Sequence, residues 1–241
     1  MVNREAAIRR YIGLADCCEL LSETFKYPTE RLISSLLDGS YLEDCIHSVE
    51  DAGAEPSQLD SAIENIQALS SSSPNSLLDS ARKGYSLLYL APGSKVPVFP
   101  YESPFRFVAD QREGVPSLFR SQITLDVERQ MAAAGVLPCD RNKEPSDSIW
   151  REFSFLSFLL GSAAAALCAE DVASAGQWIE RARTFWSSHA QRWVPDFMLR
   201  TAECARSEAF LPWAECYECF ADVGSKIVSL LQGELEGKGS F

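Results

Sequence analysis

The stretch that decides the fold is LYLAPGSKVPVFPYESPFR, residues 88–106. It contains four prolines, at Pro92, Pro97, Pro100 and Pro104. Each proline fixes its own φ, lacks an N–H donor and keeps the preceding residue out of the helical region. We therefore expect no helix to cross residues 91–106, which form a Pro-rich, non-helical loop near the middle of the chain.

The same stretch is rich in apolar and aromatic side chains. These are Tyr89, Val96, Val98, Phe99, Tyr101 and Phe105. Long connections without regular structure are uncommon in compact domains and are usually either functional or disordered. A solvated linker would not carry so many apolar residues. We therefore predict an ordered loop with a functional role.

On both sides of the loop, apolar residues recur at three- and four-residue steps, the period of an amphipathic helix. We expect helices in residues 4–90 and again in residues 117–232, with Ser146 as the cap of a long helix through Ala169. No period-two run flanked by turn residues predicts a strand. The sequence predicts an all-α protein of about ten helices, forming a single domain over residues 1–241.

The composition is acidic, with 22 Lys and Arg against 34 Asp and Glu and a formal net charge of -12. Such a surface repels nucleic-acid phosphates and anionic lipid, so we exclude both as partners. No Lys or Arg occurs between Leu32 and Ala81, where nine acids lie. Solvated acidic helix faces explain this run, and so does a surface that attracts a basic partner.

The N-terminal residues include charges and no apolar segment of the kind found in a secretory signal. The longest uncharged run, Phe153 to Ala169, is shorter than the ~20 residues of a membrane-spanning helix, so we expect a buried core helix. These two observations predict a cytoplasmic protein without membrane insertion.

Chemical signatures are scarce. The sequence has no Gly-rich phosphate-binding loop, no Gly-x-Ser-x-Gly and no His-Glu-x-x-His. Cys216 and Cys219 form a Cys-x-x-Cys without a second pair, so we predict no metal site. His47 and His189 are the two histidines, and we expect His189 to be a packing residue. A carboxylate pair such as Glu102 with Asp147 leaves a small hydrolase as a less favoured alternative.

Two motifs resemble those of a known family. Tyr85-x-x-Leu-Tyr, then Pro-Gly and Pro-Tyr-Glu-Ser at residues 100–103, resemble the first signature of the TorD/DmsD/NarJ chaperones. Residues 144–156, EPSDSIWREFSFL, resemble their Glu-Pro-Asp-His-Ile segment. Ser148 replaces the His of that second signature, and Phe99 replaces the first Pro of a Pro-Pro pair.

The resemblance implies a TorD-like all-helical fold and a binding protein rather than an enzyme. Such chaperones bind the twin-arginine signal peptide, the apo catalytic subunit, or both, of a DMSO-reductase-type molybdoenzyme, and they delay export until the cofactor is inserted. Family likeness alone raises GTP as a cofactor, and the sequence offers no motif for it. A monomer and a helix-swapped dimer both stay open, and so does an acidic interaction protein that reads no signal peptide.

A receptor for such a peptide needs an apolar groove with acids at one end, because the peptide has a basic front and an apolar segment. We expect Glu102, Asp147 and Glu152 to face the arginines through charge-assisted hydrogen bonds. The full set of expected contact residues is Leu88, Tyr89, Phe99, Tyr101, Glu102, Ser103, Pro145, Asp147, Ser148, Trp150 and Glu152.

Overall fold

The computed structural model describes residues 4–69, 72–91, 96–117, 120–136, 144–210 and 213–237. Within these ranges the chain forms eleven α-helices and two short 3₁₀ turns, and no strand. The helices are α1 (Arg4–Thr24), α2 (Glu30–Asp38), α3 (Ser40–Asp51), α4 (Asp60–Leu69), α5 (Pro74–Tyr89), α6 (Glu102–Ala109), α7 (Gln122–Ala133), α8 (Ile149–Cys168), α9 (Val172–Ser188), α10 (Val194–Ala205) and α11 (Glu215–Glu236). The 3₁₀ turns are Pro56–Leu59 and Ala190–Arg192. The predicted all-α class is confirmed.

Helix α8 lies at the centre of the packing. It contacts α1 along one side and α9 along the other, while α1 also packs on α3. By length and composition, α8 is the one described helix apolar enough to cross a membrane, and half of its most apolar window is buried within the protein. The C-terminal helices α10 and α11 form a second closely packed pair.

Aromatic rings fill the space between α5, α10 and α11. Tyr89 stacks on Phe197 with ring centroids 5.7 Å apart, and its hydroxyl lies 3.2 Å from Thr201 Oγ1. Tyr217 of α11 packs edge-on against Tyr89 and donates its O–H to the carbonyl of Ala81. Because each buried hydroxyl has a partner, these rings bury their large apolar area without an unsatisfied polar group.

The expectation that no helix lies within residues 91–106 is wrong at its C-terminal end. Helix α6 begins at Glu102 and contains Pro104. Pro104 is the third helical residue, where a backbone N–H has no partner inside the helix, so the missing donor costs nothing there. The described part of the predicted loop before Glu102 is non-helical.

Two predicted helix starts are also shifted. Helix α7 begins at Gln122 instead of Ser117, because the Ser121 hydroxyl accepts the N–H of Thr124 and forms the cap. Helix α8 begins after Ser148, not Ser146, since Ser148 is extended and pairs with Tyr101.

Helix α1 approaches α3 so closely that only glycine fits at residue 13. A Cβ built on Gly13 would lie 2.3 Å from the backbone nitrogen of Ala52, and backbone cannot move as a side chain can. We expect Gly13→Ala to reduce the free energy of unfolding by about 1–3 kcal/mol through overpacking. Urea unfolding followed by circular dichroism measures this change.

Gly176 in α9 is the matched control, because a Cβ there meets no atom within 4 Å. Gly176→Ala should leave stability unchanged or raise it by up to about 1 kcal/mol, since alanine restricts the unfolded chain. Equal effects of the two substitutions would contradict the close approach of α1 and α3.

Candidate functional site

The two motif segments meet as a short extended pair. Tyr101 and Ser148 face each other in an isolated antiparallel bridge. Beside it, the N–H of Glu102 donates to the carbonyl of Asp147 at 2.8 Å. The pairing explains why Ser148 is extended, and it fixes the position at which α6 begins.

Asp147 caps α6 from outside that helix. Its Oδ2 accepts the backbone N–H of Ser103 at 2.9 Å, and its Oδ1 accepts the hydroxyl of Thr124 at 3.1 Å. The side chain is fully buried, and burial raises the pKa of Asp147 while these hydrogen bonds oppose the rise. One carboxylate therefore joins α6, α7 and the segment before α8.

Glu102 is a second buried carboxylate and has two cationic partners. Its Oε1 accepts from Arg106 Nη1 at 2.6 Å, one helical turn along α6. Its Oε2 lies 2.7 Å from His189 Nδ1, and the other ring nitrogen of His189 lies 3.0 Å from Asp126 Oδ2. Because both neighbours of the ring are carboxylates, both ring nitrogens donate and His189 is an imidazolium.

The electrostatics of His189 agree with that geometry. Burial alone lowers its pKa, but the hydrogen bonds and charges of Glu102 and Asp126 outweigh burial and raise the pKa above 6.5. The expectation that His189 is a packing residue is therefore incomplete. It is buried, and it also bridges α6 and α7 through two ion pairs.

Glu152 of α8 lies beside this pair. Its Oε2 accepts the indole N–H of Trp193 at 3.0 Å, and its Oε1 accepts no hydrogen bond within the described part of the chain. Burial, followed by the negative charge of Glu102, raises the pKa of Glu152 well above its ordinary 4.5. The surroundings of Glu152 therefore favour its neutral form, because a proton on this carboxyl group relieves the repulsion from Glu102.

An apolar groove of about 520 Å³ lies on the outer side of α6. The end of the Pro-rich loop forms one wall, and α6 and α10 form the others. Its lining residues are Val96, Pro97, Val98, Phe99, Phe105, Val108, Ala109, Asp196, Leu199, Arg200 and Glu203. Val108 is 53% exposed and Leu199 is 57% exposed, so two large apolar side chains face solvent here. Small-molecule and peptide sites have this concave, mainly apolar character.

Charged groups stand along the α10 side of the groove. Asp196 and Glu203 are exposed, and neither is in an ion pair within the described ranges. Between them the Arg200 Nε donates to the carbonyl of Pro97 at 3.4 Å, which holds the loop wall against α10. The groove therefore combines an apolar floor with two free carboxylates.

The sequence comparison decides the family. The family model described as nitrate reductase delta subunit matches residues 52–199, which is more than half of the chain and includes both motifs. The chain belongs to the nitrate reductase delta subunit family. This is a family of cytoplasmic chaperones for nitrate reductase maturation, and it falls in the TorD/DmsD/NarJ group that the motifs resemble. No curated protein sequence matches the chain significantly.

The residues expected to contact a client occupy three different environments in this delta-subunit family member. Phe99 is half-buried and lines the groove. Tyr101 and Trp150, also half-buried, pack edge-to-face with ring centroids 5.8 Å apart. The remaining members of the set are buried. They are Leu88, Tyr89, Glu102, Ser103, Pro145, Asp147, Ser148 and Glu152.

Burial changes what the acidic members of that set can do. Glu102, Asp147 and Glu152 are each at most 1% exposed and already bind groups of the protein itself. In this conformation they hold α6 and α8 and do not face a peptide. A hydrolase that uses Glu102 and Asp147 needs a carboxyl pair in contact with water, which this arrangement does not provide.

Sequence reasoning missed the groove residues of α10. The buried face of this helix carries Val194, Phe197, Met198, Thr201, Ala202 and Ala205. Leu199 is apolar but lies outside that buried face. This departure from the helical pattern can be recognised from the sequence alone. Val108 gave no such signal, because α6 itself was not predicted.

The acids of the N-terminal half line a separate cleft between α1, α2 and α3, of about 560 Å³. Its carboxylates are Asp16, Glu19, Glu23, Asp38, Asp44 and Asp51, with Arg31 and His47 as basic neighbours. Burial, and then the charges of Glu19, Asp51 and Asp44, raise the pKa of Asp16. Three of the nine acids in the stretch without Lys or Arg, namely Asp38, Asp44 and Asp51, therefore lie in one cleft with three acids of α1. Cys216 and Cys219 are elsewhere, buried in α11, and the described residues include no cluster able to hold a metal ion.

Replacing His189 should change how the free energy of unfolding depends on pH, because the substitution removes two ion pairs. His189→Gln removes the cation between Glu102 and Asp126, and breaking a buried pair costs roughly 3–5 kcal/mol of unfolding free energy. The folded-state pKa of His189 is raised, so its contribution is complete below about pH 6.5 and is lost as pH rises through the folded-state pKa. The stability difference from wild type should therefore shrink as pH rises above about 6.5.

Denaturant titrations across that pH range measure the effect. His47→Gln is the control, because His47 is exposed on α3 and should retain the wild-type profile. A His189→Gln difference that is constant with pH would rule out the imidazolium.

At residue 152, replacement of the carboxyl group by an amide should destabilise the protein less than truncation of the side chain to alanine. Glu152→Gln keeps an oxygen for the Trp193 N–H and a donor for Glu102, and it removes an acid whose folded-state pKa is raised. A raised carboxyl pKa lowers stability as pH climbs above the unfolded value of 4.5, so the amide should flatten that decline. Glu152→Ala leaves a buried indole N–H unpaired and should cost about 1–3 kcal/mol.

Thermal melts of the three proteins between about pH 5 and pH 8 test this. Similar losses in the amide and alanine variants would show that Glu152 is ionised in the native protein.

Proposed function

We propose that this protein is a cytoplasmic chaperone for the catalytic subunit of a nitrate-reductase-type molybdoenzyme of the DMSO-reductase class. It binds the N-terminal twin-arginine leader of the apo subunit and remains bound to it until the cofactor is inserted. The observation that carries the proposal is the apolar groove between the Pro-rich loop, α6 and α10.

The chemistry of the groove suits a leader peptide. Such a peptide has an apolar segment next to a basic front. Val108 and Leu199 offer exposed apolar surface for the segment, and burying such surface contributes roughly 25 cal/mol per Å². Asp196 and Glu203 offer carboxylates for basic residues of the leader, and the net charge of -12 attracts a basic peptide at long range.

The groove is also rigid before the client arrives. The carbonyl of Pro97 is held by Arg200, and the N–H of Val98 donates to the carbonyl of Leu88 at 3.1 Å. Helix α6 is held through Glu102 and Asp147. A preformed wall loses little conformational entropy on binding, so more of the contact energy appears as affinity.

A second candidate function is an acidic interaction protein that docks a basic partner without reading a leader. The acidic cleft between α1, α2 and α3 is the observation in its favour. Substitutions can distinguish the two candidate functions, because the acidic cleft and the apolar groove have no lining residue in common.

Calorimetric titration with the leader peptide of the client enzyme tests the proposal. We expect micromolar or tighter binding that weakens at least about tenfold when the arginine pair becomes glutamine. Leu199→Asp in the groove should also weaken binding about tenfold or more, because it places a charge on the apolar contact surface.

Val172→Asp is the matched control, since Val172 has the same 57% exposure as Leu199 but lies on α9. It should bind like wild type. Equal affinity of wild type and Leu199→Asp would move the binding site away from the groove. Loss of binding on neutralising Asp38 and Asp44 instead would place the leader in the acidic cleft. No binding of the leader to the wild-type protein would favour the acidic interaction protein.

A further inference from the structure

Helix α10 presents a regular charge pattern along the groove. Asp196, Leu199, Arg200 and Glu203 stand at positions i, i+3, i+4 and i+7, so they share one face of the helix. All four are exposed. Along this face the order is negative, apolar, positive, negative, and at 1.5 Å per residue the two carboxylates are separated by about 10 Å along the axis.

From this pattern we propose that the groove selects a helical client segment with one cation at each end of a two-turn apolar stretch. The inference rests on the proposed function and adds the spacing of charges that the site reads. An adjacent arginine pair then uses only one of the two carboxylates, and a second basic residue seven positions away uses the other.

Arg200 is the residue that disfavours client segments with a cation at their centre. Arg200 lies between the two acids along the helix, and its Nε donates to the Pro97 carbonyl at 3.4 Å, which places its charge at the groove. A cation at the middle of the client segment faces this fixed positive charge and is repelled. Cations at the two ends face carboxylates instead. Specificity of this kind combines attraction at the right positions with repulsion at the wrong one.

The loop wall favours a helical client over an extended one. Pro97 and Pro100 have no N–H, and the N–H of Val98 is already bonded to Leu88. The wall therefore offers little backbone for strand addition, which depends on main-chain hydrogen bonds. A helix satisfies its own backbone groups and needs only apolar and charged contacts. Seven residues of helix span the same ~10 Å as about three residues of extended chain.

Three isomeric synthetic peptides test the spacing. Each is a helix-forming peptide of about 15 residues with the same Leu, Ala and Arg content, so that only the two arginine positions differ. One isomer has its arginines seven residues apart, one has them adjacent at an end, and one has them adjacent at the centre. We expect affinity in that order, with the spaced isomer at least about tenfold tighter than the central one.

Variants assign each end to its carboxylate. Asp196→Asn and Glu203→Gln should each weaken the spaced isomer, and each should abolish the effect of replacing one arginine but not the other. Such a double-mutant cycle isolates the pairwise interaction. Glu208→Gln is the control, because Glu208 is exposed and lies outside the groove. Arg200→Gln should raise the affinity of the central isomer most.

The leader peptide is titrated in parallel with the isomers. Leader binding with equal affinities for the three isomers overturns the spacing rule while the proposed function stands. Leader binding with no detectable binding of the spaced isomer also overturns it. If the leader itself does not bind, the proposed function fails, and the inference that rests on it fails too.

Discussion

The ion pair between Glu102 and His189 is the interaction on which the arrangement of this protein depends. It joins the first residue of α6 to the end of α9, two positions that are 87 residues apart in sequence. A carboxylate at 0% exposure is costly unless it is paired and hydrogen-bonded. Arg106 and His189 supply the two cationic partners of this carboxylate. Because Glu102 starts α6, satisfying this one group also sets the direction of the helix that forms a wall of the groove.

The motif residues and the residues that line the groove therefore have different roles. The acids of the two motifs hold α6, α7 and α8 together, whereas the side chains available to a client come from Phe99, Val108 and the exposed face of α10. A buried carboxylate left without its partner destabilises a protein strongly, so such residues are constrained by the fold itself. The groove residues carry no such constraint.

The sequence predicted the helical class because the three- and four-residue spacing of apolar residues is repeated along most of the chain. The sequence-based prediction failed at α6. Pro104 was expected to interrupt a helix, but the third position of a helix tolerates proline. The prediction also gave no indication that Glu102 and Asp147 are buried. Their motif identified the family, but a motif states only which residues occur, and whether a carboxylate meets solvent depends on tertiary partners such as His189 and Thr124. Those partners lie far away in sequence and have no local signature.

The same limit explains why the groove could not be predicted while the family could. Leu199 departs from the buried face of α10, which a helical-wheel analysis detects, yet an isolated exposed leucine is common on protein surfaces. It gains meaning only when Val108 and the extended loop are placed beside it. That placement depends on the buried ion pair of Glu102, on the Asp147 cap and on Arg200 holding the Pro97 carbonyl. The groove therefore depends on interactions made by residues that do not line it, and the polar groups that position α6 determine how the groove is shaped.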